Sequence, residues 1–211
     1  MPSLSDTIHL DMLNSSYRKQ EPQKLGIYGL QWGDPEVNRP LKFIRDRYIL
    51  PYINFDHDAV EIGPGGGRWT RYLLSFHRLY AVDYHQELLD ELQKSFKIPN
   101  LTLIRNSGAD FPGIPPESVD FVFSFGVFVH LEQDTIRAYF QALYPIVTDS
   151  ANIVIQYSDK TKEVAKSNPG FGNNTPSDMR CLVAQTGYSI LEENVTALPH
   201  SSIMRFQKHH F

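Results

Sequence analysis

The stretch Ala59-Val60-Glu61-Ile62-Gly63-Pro64-Gly65-Gly66-Gly67 joins an apolar run to a glycine-rich turn, with an acid two residues ahead of the first glycine. Ala59, Val60 and Ile62 suit a strand covered on both faces of a parallel sheet. Gly63, Gly65 and Gly67 carry no Cβ, so the turn can take conformations closed to other residues and let a ligand touch the main chain. Arg68-Trp69-Thr70-Arg71-Tyr72-Leu73-Leu74 then opens a helix, whose first amides point unpaired donors at whatever fills the turn.

Working outward, the apolar pattern predicts strands at about 59–63, 79–83, 101–105, 120–125 and 152–157, with helices between them. The helix over 67–76 buries Trp69, Tyr72, Leu73 and Phe76, the next carries Leu88, Leu89, Leu92 and Phe96, and a later one carries Ile136, Tyr139, Phe140 and Leu143. Upstream, residues 1–33 read as a loosely structured arm. Asp34-Pro35-Glu36 reads as a helix start, with Asp34 as N-cap and Val37, Leu41, Ile44 and Tyr48 on one apolar face. Downstream, Gly170, Gly172, Asn173 and Asn174 predict a mobile loop over 158–174. Thr175-Pro176-Ser177-Asp178 caps a last helix that Gly187 ends, and two strand-like runs, 188–195 and 201–207, close the chain. Five β-α units and a terminal hairpin give an α/β fold: a doubly wound, mostly parallel seven-stranded sheet with an antiparallel C-terminal strand. The expected division is an arm and helix over 1–54 that cover the site, and a ligand-binding domain over 55–211.

The 211 residues suit one packed domain, with 41% hydrophobic and 12% aromatic side chains. A net charge of −4 and no long basic run disfavour nucleic acid as a partner, since phosphate neutralisation supplies most nonspecific affinity. A lone cysteine, Cys181, excludes an internal disulfide and a cysteine-rich zinc site, and is expected in the core. No metal-ligand spacing stands out. Met1-Pro2-Ser3-Leu4-Ser5-Asp6 lacks the features of a signal peptide, and no apolar run reaches the ~18 residues a membrane helix needs, so a soluble cytoplasmic protein without membrane contacts is expected.

Glycine spacing separates the possible ligands. The dinucleotide fingerprint needs glycines at i, i+2 and i+5, but counting from Gly63 the third position is Arg68, and from Gly65 it is Thr70. Glu-x-Gly-x-Gly-x-Gly, from Glu61 to Gly67, resembles motif I of the class I S-adenosylmethionine-dependent methyltransferases, and the resemblance covers roughly residues 55–208. It implies that Glu61, Gly63, Gly65 and Gly67 cradle the methionine half of S-adenosylmethionine. Asp83 ends the second strand, on the rim where open parallel sheets bind ligands, and a carboxylate there can accept from both ribose hydroxyls. A helix cap for the segment beginning at His85 is the plainer reading. Tyr84 follows it into the same site. After the third strand, where the family contacts adenine, stand Ser107, Gly108 and Ala109; Ser107 occupies the place of an aspartate found in many relatives. Phe125 and the residues after it lie where the family places the cofactor's methionine and the acceptor.

The amino-methyltransferase motif Asn/Asp-Pro-Pro-Tyr/Phe and the Pro-Cys nucleophile of cytosine-C5 enzymes are both absent at that point, which disfavours nucleobase acceptors. His130, after the fourth strand, and His200, between the last two, reach the same rim. A histidine near its ordinary pKa suits deprotonation of a hydroxyl, and a plain structural role is the alternative for each. His9, His57, His77, His85, His209 and His210 read as surface residues. Tyr28 and Trp32 are candidates to close the pocket from the arm. Gly-Pro-Gly-Gly-Gly-Arg-Trp-Thr-Arg-Tyr-Leu with Gly-Val-Phe-Val-His-Leu is similar to bacterial methyltransferases found among glycan-building enzymes, which implies a sugar or other small-molecule hydroxyl as acceptor. A small-metabolite amine, a noncatalytic S-adenosylmethionine-binding partner protein and an NAD-dependent oxidoreductase are the alternatives.

Overall fold

The computed structural model describes residues 29–209. Tyr28, His9, His210 and residues 1–28 of the arm expected over 1–33 lie outside them. Seven strands form one sheet in the order β3-β2-β1-β4-β5-β7-β6. They are β1 Asp58–Ile62, β2 Arg78–Asp83, β3 Leu101–Arg105, β4 Val119–Ser124, β5 Val147–Ser158, β6 Tyr188–Asn194 and β7 Ser201–Lys208. β1 to β5 pair in parallel, and β7 runs antiparallel to both β5 and β6. The chain order reverses between β1 and β4, and there the two strands' carboxyl ends open a crevice.

Alternation along the strands separates two cores. Val60, Ile62, Val122 and Ile155 pack on one face with Ile136, Phe140, Leu143, Met179 and Leu182. Ala59, Phe121 and Phe123 pack on the other with Leu41, Ile44, Tyr48, Trp69 and Leu73. The helices that supply these faces are α1 Arg39–Tyr48, α2 Thr70–Leu73, α4 Gln133–Leu143 and α6 Pro176–Gln185; α3 Gln86–Ser95 and α5 Glu163–Lys166 complete the set among the described residues. None of the described helices is long and apolar enough to cross a membrane.

Four sequence expectations need correction. α1 starts at Arg39 with Asn38 as its cap, the Asn38 side chain accepting from Leu41 N–H, and Pro40 in its first turn. Asp34 instead pairs with Arg71, and Val37 is exposed rather than part of the apolar face. The helix expected over 67–76 shortens to α2, because the glycine turn continues through residue 69. Cys181 is exposed on α6.

The fourth correction concerns residues 158–174, which form a pinned strap rather than a mobile loop. Gly172 N–H donates to Val129 O at 2.9 Å, Ser158 Oγ donates to Gly172 O at 2.6 Å, and Asn174 Nδ2 donates to Leu131 O at 2.8 Å. Lys160 Nζ caps the carbonyls of Ala165 and Asn168 at 2.8 and 3.0 Å. A Cβ at residue 172 would collide with the Leu131 carbonyl oxygen, so glycine is what lets strap and sheet rim meet. The last helix matches expectation: Thr175 and Asp178 form a reciprocal capping box, with Pro176 in the first turn.

Candidate active site

The carboxyl ends of β1, β2, β4 and β5, the strap and the β6–β7 turn enclose a cavity of about 860 Å³. At one end Gly63, Pro64 and Gly65 form its floor. Gly63 and Gly65 have φ of +71° and +54°, where L side chains are disfavoured, and a Cβ at Gly63 would collide with the Val127 side chain. Gly63 N–H donates across to Val82 O at 2.8 Å, which fixes the turn to β2.

Gly67 and Glu61 have different duties and do not line the cavity. Gly67 makes room for Phe96 and Leu92 behind the turn. Glu61 is buried and accepts from Thr70 Oγ1 at 2.5 Å. Burial, together with the nearby Asp83 charge, pushes its pKa up to about 8, while the Thr70 hydrogen bond and Arg68 oppose the rise. Burial thus favours the protonated carboxyl at neutral pH, and its bond to Thr70 ties β1 to the start of α2.

Asp83 lines the cavity at the end of β2 and is 7% exposed. Its Oδ1 accepts from His85 N–H at 2.9 Å and meets His85 Nδ1 at 3.2 Å. The Oδ2 atom makes no hydrogen bond to the described residues, so one oxygen braces the loop and the other remains for a ligand. Both sequence readings of Asp83 are thus compatible, one per oxygen. His85 was missed as a site residue: its ring lines the cavity and its Nε2 is buried without a partner. Its place two residues after the strand-ending acid was the available signal. Tyr84 lines the same wall and is half exposed.

Ser107 and Gly108 line the wall beyond β3, whereas Ala109 packs against the core. Ser107 Oγ donates to Asp110 Oδ2 at 2.9 Å, which leaves the hydroxyl's lone pairs to accept from a ligand amino group. Phe125 packs against Trp69 with ring centroids 4.8 Å apart and planes tilted by 48°, and the Arg68 guanidinium lies over both rings. Arg68 Nη1 donates to Gly29 O at 3.0 Å, so Gly29 and Trp32 close this end ahead of β1. Gln156, buried in β5, accepts from Gly126 N–H and donates to Ser201 Oγ, each at 2.7 Å. It holds the loop after β4 against the start of β7.

At the other end the cavity meets His130, Asn168, Phe171, Leu198 and His200. His130 sits in a short 3-10 turn, Phe128–His130, and its Nδ1 lies 2.7 Å from Gly170 O. A carbonyl oxygen only accepts, so Nδ1 carries the proton and the neutral ring keeps its lone pair on Nε2. Phe171 packs between the two histidines, 5.4 Å from His130 and 5.5 Å from His200 by ring centroids. Burial, then the charges of Lys162 and His130, hold the His200 pKa below the ordinary histidine value. Among the described lining residues Asp83 is the one carboxylate, and it stands at the glycine-turn end.

Residues 59–150 match the family described as a methyltransferase domain. No curated protein matches the sequence. Among solved structures, a protein from Pyrococcus horikoshii OT3 superposes with a TM-score of 0.69 at 13% identity, over 92% of this chain and 99% of that one. The structure described as a DhpI–SAH complex gives 0.67 at 16% identity, over 98% and 97%. An S-adenosylmethionine-dependent methyltransferase from Aquifex aeolicus gives 0.61 at 14% identity, over 88% and 100%. At these identities the likeness is one of fold.

Proposed function

We infer that this chain, whose residues 59–150 match the family described as a methyltransferase domain, is an S-adenosylmethionine-dependent methyltransferase that methylates a hydroxyl of a small molecule. The residues of the first half of the cavity suit the cofactor. Gly63 and Gly65 offer main chain to its amino-acid part, Asp83 Oδ2 is placed to accept from a ribose hydroxyl, and Ser107 and Gly108 stand where an adenine would end. Tyr84, His85 and Phe125 supply the walls, and Gly29, Trp32 and Leu41 make the segment ahead of β1 the cover. When bound, S-adenosylmethionine supplies an electrophilic methyl group on a sulfonium. Holding an acceptor in line with it converts an encounter into an oriented, effectively unimolecular step.

The observation that carries the hydroxyl reading is the makeup of the far wall: two histidines, an amide and an aromatic ring, without a carboxylate. A hydroxyl must lose its proton as it is methylated, and His130, with its lone pair assigned to Nε2 by Gly170, suits that task. His200, biased toward the neutral form, adds no charge that would oppose a proton arriving on His130. A cationic amine would find no counter-charge at this end. Ring faces of Phe171 and the histidines, with Asn168 beside them, favour a sugar or glycoside as the first acceptor class. A screen with methyl-¹³C S-adenosylmethionine over sugar nucleotides, glycosides, phenols and amines tests this, the carbon shift separating O-methyl from N-methyl products. O-methyl products are expected. Exclusive labelling of amines would replace the hydroxyl reading, and binding of S-adenosylhomocysteine with no labelled product from any class would favour a noncatalytic partner protein.

A further inference from the structure

The strap and the β6–β7 turn face each other across the acceptor end, and Lys162 joins them. Its ammonium donates to Leu198 O at 2.8 Å and to Ser201 O at 2.6 Å, carbonyls on either side of His200. It also stands 3.6 Å from Asp159 Oδ2. Asp159 is buried at the end of β5; its N–H donates to the His200 carbonyl at 3.3 Å, and its carboxylate accepts from Ser202 Oγ at 2.7 Å. The backbone around His200 is therefore held at three carbonyls, those of Leu198, His200 and Ser201, by one lysine–aspartate pair. Burying an ammonium is unfavourable unless its donors and charge are compensated; here two carbonyls accept from it and the Asp159 carboxylate offsets its charge.

We propose that Lys162 is the positioning residue of the acceptor pocket: by clamping both carbonyls that flank His200, it fixes that ring against Phe171 and leaves proton acceptance to His130. The proposal rests on the hydroxyl reading above. The charged groups facing His200 are Lys162 from the strap and His130 from the turn after β4, with Asp159 paired to Lys162. A cation at Lys162 opposes protonation of the nearer imidazole, and burial acts in the same direction. Of two neighbouring rings that cannot both charge easily, the clamp thus disfavours the charged form of His200.

The test is an NMR titration of the imidazoles in the full-length, ligand-free protein, with the His200 signal assigned by its loss in His200→Gln. In Lys162→Met the His200 midpoint should move to higher pH, whereas Lys162→Arg, which keeps the charge and the donors, should stay near wild type. Affinity for S-adenosylhomocysteine should be unchanged in both, while turnover falls ~10–100-fold in Lys162→Met and recovers in Lys162→Arg, because a displaced pocket wall spoils alignment. If Lys162→Met does not fold, Lys162→Gln takes its place with the same expected direction. An unmoved His200 titration in a folded Met or Gln variant overturns the proposal. A moved titration with full turnover retained by His130→Ala would support the clamp and remove His130 as the base, which separates failure of the hydroxyl reading from failure of the clamp.

Discussion

His130 and His200 are held differently by the fold, and under the proposed hydroxyl methylation the difference favours His130 as the proton acceptor. His130 is oriented by a carbonyl on the strap, whereas the backbone around His200 is bonded to Lys162 and Asp159, and burial and nearby charge lower its pKa. Replacing His130 with alanine should lower kcat by ~10²–10⁴ and leave S-adenosylhomocysteine affinity intact, as expected for a general base that does not touch the cofactor. Steady-state rates against pH give the second readout: the wild-type acid limb should vanish in the variant. Full activity there would assign proton removal to another group or to water. Single residues were unevenly legible in the sequence. Asp83 and the two histidines could be placed because strand ends define the rim. His85 and Cys181 could not, because their burial depends on which way a loop or helix face turns.

At the scale of elements, β1 shows how one strand serves both stability and the site. Its Glu61 folds with a pKa near 8 against an ordinary 4.5, so the native state holds a proton that the unfolded chain has lost between those values. Stability from this group is complete below about pH 4.5 and is lost as pH rises through about 8, on the order of a few kcal/mol in total. Denaturant unfolding of Glu61→Gln should therefore lack the fall seen in wild type between pH 5 and 8, since the amide mimics the protonated acid. Parallel curves for the two proteins would show that Glu61 is ionised in the fold. Strands and amphipathic helices were readable because their periods are local. The strap was not: its Gly and Asn residues read as a loop, but their amides bond to Val129, Leu131 and Ser158, partners 14 to 43 positions away. The α1 cap shifted from Asp34 to Asn38 for a similar reason, since Asp34 is drawn away by Arg71.

Over the whole molecule, the order β3-β2-β1-β4-β5-β7-β6 brings the glycine turn, the Asp83 loop, the turn after β4 and the β6–β7 turn to one rim. That convergence followed from reading β-α units along the chain, because parallel crossovers have one hand and put the carboxyl ends of β1 to β5 on the same side. The far end of the cavity was less legible, as it is built by the strap and by the bonds of Lys162 to Leu198 and Ser201, whose contacts are distant in sequence. The glycine-turn end of this cavity is proposed to hold an S-adenosyl cofactor through Asp83 rather than a dinucleotide. Titration calorimetry of the wild type and of Asp83→Ala with S-adenosylhomocysteine and with NAD tests it most directly. Wild type should bind S-adenosylhomocysteine at one site and ignore NAD, and Asp83→Ala should weaken that binding by about 1.5–3 kcal/mol, the worth of hydrogen bonds to a charged acceptor. NAD binding without S-adenosylhomocysteine binding, or equal S-adenosylhomocysteine affinity in the folded variant, would contradict the account.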